Sequence, residues 1–155
     1  MLEDNYFLDV EVRALSIKQP YASLILPPTC KIETRSWSTP YRGWVLICAG
    51  QSIVVPWMQV QISGEHQARR ISEMIAIDKD SLHKDAGRAI GIGQLVDCRL
   101  MTKEDEDACF CQFKPGYWCH IFRDVMPISP FNYKGQLGYT EISEYDKRKI
   151  HVIFS

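Results

Sequence analysis

No stretch of this 155-residue chain approaches the ~20 consecutive apolar residues that a helix needs to cross a bilayer, so no membrane is expected among its partners. Basic residues are not in excess either: 18 stand against 19 acidic ones, for a net charge of −1. Proteins that follow many phosphates carry a basic stripe, because much of their affinity comes from released counterions. The balance here excludes strong, sequence-blind polyanion binding and leaves room for a local site that reads one or two nucleotides. No Cys-x-x-Cys pair occurs, and Gly91-Ile92-Gly93 lacks the rest of any dinucleotide fingerprint. There is no internal repeat and no low-complexity tract. Met1-Leu2-Glu3-Asp4-Asn5 is acidic and leads into no long apolar run, which is not a secretory signal. A cytoplasmic, reducing location is the expectation, with Cys30, Cys48, Cys98, Cys109, Cys111 and Cys119 as thiols.

What is present is enough apolar material for a sizeable core, 46% of residues, in a length typical of one domain. The pattern divides into a lead-in over 1–12, a domain over 13–145 with a helical insert at about 51–86, and a final strand or tail over 146–155. Residues 11–17 read as a strand. Pro20 suits the first turn of a short helix over Tyr21–Leu26, which Pro27-Pro28 stops. A strand over 30–37 follows, then turn chemistry at Thr39–Gly43 and a buried strand over Trp44–Ala49. Within the insert, apolar residues at 68, 71, 74 and 75 predict a helix over Gly64–Ile75. Strands resume over Gly87–Arg99, with Gly91 and Gly93 marking a bend or bulge. Thr102–Asp105 is a capped helical start. Further strands are expected at Tyr117–Phe122 and Gly138–Ile142, with Pro127, Pro130 and Gly135 in loops. Many short strands with a few short helices imply an α+β fold built on a small curved barrel.

The chemistry-bearing residues gather near the first helix. Glu33 and Arg35 are two apart on a strand and project to one face. A carboxylate accepts from exocyclic amines, and a guanidinium meets phosphate or a carbonyl; a purely structural ion pair is the plainer role. Tyr21 and Trp37 are candidates to stack on a base or to pack in the core. Ser16, Lys18 and Gln19 lie in the turn after the first strand, where Ser16 and Gln19 can also serve as helix caps. Cys109-x-Cys111 with Cys119-His120 invites a zinc reading, but adjacent residues of a strand point to opposite faces, so no metal or other cofactor is expected. Cys30, near Lys31 and Arg35, is a further candidate nucleophile. Glu104-Asp105-Glu106-Asp107 reads as a solvated acidic face that would repel nucleic acid locally.

Leu15-Ser16-Ile17-Lys18-Gln19-Pro20-Tyr21-Ala22-Ser23-Leu24, then Glu33, Arg35, Ser36-Trp37 and Arg42-Gly43, resembles the ASCH domain, a branch of the PUA-like superfamily. Ala89-Ile90-Gly91, Leu95–Cys98 and Lys134-Gly135-x-Leu137-Gly138 are similar to its later strands and Lys-Gly loop. The resemblance spans roughly 13–143. It implies a PUA-like curved β-barrel with short helices at its ends, and a nucleic-acid-binding protein, RNA before DNA, that recognises a base or single-stranded segment in the barrel mouth. Ser16, Lys18, Gln19, Tyr21, Glu33, Arg35, Trp37 and Lys134 would then be the binding residues, and a protein partner stays open. The alternative it implies is a small hydrolase. Some small ASCH proteins resemble amidohydrolases that cleave acylated cytidines with a lysine, a threonine and a separate glutamate. Here Cys30 stands at the lysine position and Glu33 at the threonine position, with Lys31 one place late. Glu33 and Lys31 would be the catalytic pair if the chain is an enzyme, a choice the sequence leaves open.

Overall fold

A computed structural model describes residues 6–27, 31–75 and 79–154, without the side chains of 79–81. Six strands, β1 (Val12–Gln19), β2 (Ile32–Arg35), β3 (Gly43–Ile53), β4 (Arg88–Leu100), β5 (Trp118–Asn132) and β6 (Thr140–Glu141), form one sheet in the order β2-β5-β4-β3-β1-β6. β1 and β3 run parallel; the other pairs are antiparallel. The sheet curls into a half-barrel, the α+β architecture of curved sheet and short helices expected from the sequence.

The central strands are buried on both faces, which explains their nearly unbroken apolar runs. In β3, Trp44, Leu46 and Cys48 join Phe7, Val12, Ala14 and Ile128 in one core, while Val45, Ile47 and Ala49 join Leu15, Ile17, Leu95 and Phe122 in the other. Burying one such Leu or Ile fully is worth about 1.5–3 kcal/mol, so two cores sharing β1, β3, β4 and β5 make this the stable centre. Gly91 and Gly93 lie where the β4 ladders slip register. A Cβ on Gly91 would come within 2.5 Å of Leu26 Cδ2, and one on Gly93 within 2.9 Å of Val125 Cγ2. Their lack of a side chain lets the curled sheet close on its neighbours.

Among the described residues, six short helices complete the fold: α1 (Tyr21–Leu24), α2 (Pro56–Ser63), α3 (Glu65–Ile75), α4 (Lys79–Lys84), α5 (Glu106–Cys109) and α6 (Glu144–Lys147). Among the described residues no helix is long and apolar enough to cross a membrane. α2, α3 and α4 make up the insert between β3 and β4. Ile71 of α3 packs with Leu24, Phe110 and the half-buried Tyr21 and Ile32, which seats the insert over α1 and one end of β2.

Several local expectations change. Pro20 precedes α1 as its cap residue, after a cis Gln19–Pro20 bond. Pro127 and Pro130 fall inside β5, not in loops. β2 pairs only with residues 118–121 of β5, so beyond that point one side of the strand lacks this neighbour and a missing N–H is tolerated. The lead-in carries a 3-10 turn, Tyr6–Asp9, that buries Phe7 edge-on to Trp44 at 5.2 Å. The tail begins with a helix, α6, and returns to the sheet at the Ile128–Val152 bridge. The acidic run is not wholly solvated: Asp105 is buried and binds Arg99 Nη1 and Nη2 at 2.8 and 2.7 Å and the Thr102 N–H at 2.8 Å. Cys30, Pro28 and Met1–Asn5 lie outside the described residues.

Candidate functional site

The sheet ends in two edges, β2 on one side and β1 with the very short β6 on the other. β6 covers only Arg13 and Ala14 of β1, so β1 beyond Ala14 faces β2 across an open seam. Arg35 crosses it. Its Nη2 donates to the Ser16 carbonyl at 2.7 Å and lies 3.6 Å from Glu33 Oε2.

Strand alternation places Glu33 and Arg35 on one face of β2, with Glu33 opposite His120 and Arg35 opposite Trp118 on β5. Thr34 and Cys119 share the other face. Glu33 is only 8% exposed. Its Oε1 accepts the Thr34 N–H at 3.0 Å. Burial pushes its carboxyl above the ordinary 4.5, with the nearby Arg35 guanidinium opposing.

A second layer of polar and aromatic groups backs this pair. His120 has no exposed surface; its Nδ1 lies 2.8 Å from Tyr139 Oη and its Nε2 2.8 Å from the Trp37 carbonyl. Since a carbonyl only accepts, Nε2 carries a proton, and Tyr139 satisfies Nδ1 of the neutral ring by donating its hydroxyl. Burial lowers the His120 pKa below 6.5, which favours that neutral form. Trp37 packs edge-on to His120 at 5.0 Å and to Tyr139 at 5.7 Å. The Arg35 guanidinium lies 5.7 Å from the centre of its ring. Trp37 is half-buried and packs against the core that holds Leu15 and Phe122.

The remaining candidates take different places. Tyr21 is half-buried, and its hydroxyl accepts from Gln59 Nε2 of α2; burial pushes it up to about 12. Gln19 is fully buried, receives the Ser23 N–H at 3.0 Å and donates to Ser23 Oγ at 2.9 Å, so its side chain holds α1 against β1. Lys18, Lys31 and Lys134 are exposed. Lys31 precedes β2, and its carbonyl accepts the Phe122 N–H at 2.7 Å. The loop from Lys134 to Gly138 lies against the seam at Ser16. A Cβ on Gly135 would stand 1.6 Å from Ser16 Oγ, so only glycine permits that approach.

The seam thus brings Glu33, Arg35, Trp37, Ser16 and Gly135 of the Lys134 loop together, while Lys18 lies exposed on β1 and Lys31 exposed just before β2. Tyr139 and Gln59 escaped the sequence reading, and His120 entered it only as a possible metal ligand. His120 shares the inward period of Phe122 on β5, a signal that was there to find. Gln59 carries none, because the residues α2 buries are polar, Gln59 and Ser63. Cys119 and His120 face opposite sides of the sheet, and among the described residues no three His, Cys, Asp or Glu side chains are grouped to hold a metal ion.

The family model described as the ASCH domain matches residues 15–150, a span that takes in every residue placed at the seam. No curated protein matches the chain.

Proposed function

This chain belongs to the ASCH domain family, and on that premise we propose that it binds single-stranded RNA, reading one base at the seam between β1 and β2. The observation that supports this most is the Glu33 carboxylate. It is buried against its own preference for water, and its contacts with Thr34 and Arg35 leave acceptor capacity toward the seam. A carboxylate held in that way is a partner for the exocyclic amine of cytosine or adenine. Arg35 and the rim lysines 18, 31 and 134 supply the phosphate contacts, and Trp37 or Tyr21 supplies a stacking surface. A cytoplasmic location belongs to the same proposal; Cys48, Cys98, Cys109, Cys111 and Cys119 as free thiols support it.

The deciding experiment is equilibrium binding of short single-stranded RNAs of single-base composition to the intact chain and to Glu33→Gln. Binding that favours one amine-bearing base, and loses that preference in the variant, is the expected result. Equal affinity for all RNAs in both proteins would sink the reading.

One observation favours a second reading, a hydrolase acting on a modified nucleoside. A carboxyl raised by burial is suited to general acid–base work, and Lys31 or Arg35 would stabilise negative charge on the reacting carbonyl. Release of carboxylic acid from an N4-acylated cytidine, abolished in Glu33→Gln, would establish it in place of the binding module.

A further inference from the structure

Far from the seam, the end of β5 and the segment from α6 onward enclose an open depression of about 460 Å³, within the usual range for small-ligand sites of ~300–1,000 Å³. Phe131 lines it from β5, beside Ser129 and Pro130, and Tyr145, Arg148, Lys149 and His151 line it from the C-terminal segment. The walls are fixed by the fold. The Ser129 N–H donates to the His151 carbonyl at 2.8 Å, and Arg88 Nη2 donates to the Pro130 carbonyl at 3.0 Å. Ile150, between two of the lining residues, is buried in the core that holds Phe7 and Trp44.

Its chemistry is aromatic and cationic together. Lys149 Nζ lies 4.2 Å from the Tyr145 ring centre and 5.6 Å from that of Phe131, and its charge is met by Asp146 at 3.2 Å. Asp146 also receives the Ser143 hydroxyl. Arg148 and His151 are exposed and make no side-chain hydrogen bond or ion pair among the described residues. The other acid on α6, Glu144, is solvent-exposed. An unengaged planar guanidinium is a phosphate receptor, and Tyr145, 71% exposed, offers ring surface for a base to stack on.

We propose that this depression is a second nucleotide site, which takes one unit of a single strand with its base on Tyr145 and its phosphate on Arg148 and His151. Its ligand class rests on the nucleic-acid reading above; its geometry does not. Phe131 is eleven residues beyond His120 along β5, up to about 35 Å at ~3.3 Å per residue. A single strand that follows β5 over that stretch can touch both places.

Titration of the 15N-labelled chain with adenosine 5′-monophosphate, followed by amide shifts, tests this. The amides of Phe131, Tyr145, Arg148 and His151 should move together on one binding curve. Tyr145→Ala should weaken that curve by at least about fivefold, the lower end of base stacking, and Arg148→Gln should do the same, while Glu33→Gln leaves it unchanged. If these amides respond while those of Thr34 and Arg35 stay still, the depression stands and the seam reading falls. No response at millimolar nucleotide overturns the proposal. So does an equal response to inorganic phosphate that Tyr145→Ala leaves intact, which would make this a plain anion site.

Discussion

Arg35 and Ser16 link the two edges of the sheet, through a guanidinium N–H and a main-chain carbonyl 2.7 Å apart. The barrel is therefore latched by a side chain where a ladder of backbone hydrogen bonds would otherwise run. The same guanidinium neutralises Glu33, so closure of the fold and the charge of the site depend on one residue.

Arg35→Ala should destabilise the protein by about 2 kcal/mol, because it leaves a buried carboxylate without its cation. Adding Glu33→Gln should restore part of that loss. Urea midpoints of the two single variants and the double variant give the coupling directly, and strict additivity would show that the pair is not energetically linked.

The pH dependence of stability should contain two opposed slopes. Glu33 is raised above 4.5, so the folded chain keeps a proton that the unfolded chain has released. Stability from this group falls as pH climbs past about 4.5. His120 is lowered below 6.5, so the unfolded chain takes up a proton that the folded one refuses, and stability falls as pH drops below about 6.5. Glu33→Gln should leave only the histidine slope and raise stability at neutral pH. His120→Gln should leave only the glutamate slope. Urea midpoints at three pH values across that window separate them.

Gly135→Ala should displace the Lys134 loop from the seam, since its Cβ would stand 1.6 Å from Ser16 Oγ. The loop is exposed, so the melting temperature should change little while RNA affinity drops. Ser16→Gly in the same chain removes the opposing atoms and should return the affinity. Failure of that rescue would mean that the loop's approach to Ser16 does not matter for binding.

Asp105 anchors the turn before α5. Its carboxyl is held well below the usual range by hydrogen bonds from Arg99, so its contribution is present above the unfolded 3.8 and is lost as pH falls further. Asp105→Ala should cost about 1–2 kcal/mol, the loss of a cap and of a charge-assisted bond, and thermal melts at neutral pH would show it.

Residues whose burial follows a simple period were readable in advance. β3 and β4 are apolar on both faces, and α3 buries Ala68 and Ile71 at helical spacing, so pattern and packing agree. α2 was missed because it inverts the pattern: Gln59 and Ser63 are buried while Trp57 and Val60 face solvent. Pro127 and Pro130 suggested loops because composition does not reveal which side of a strand lacks a neighbour. At the site, Glu33, Arg35 and Trp37 are close in sequence and share a period. His120 and Tyr139 reach them only through the pairing of β2 with β5 and the path of the chain into β6, long-range facts that no local window contains.

The insert is stitched to the sheet at both ends: Val54 at its start donates its N–H to the Gln19 carbonyl, and Gly87 at its close donates to the Ala49 carbonyl, each at 2.8 Å. Between them, Gln59 reaches to the Tyr21 hydroxyl. The insert is therefore no detachable loop: through Gln59 and Ile71 it braces α1 from outside, and trimming these helices would strip the cover from Tyr21 and Leu24 even where the strands stay paired.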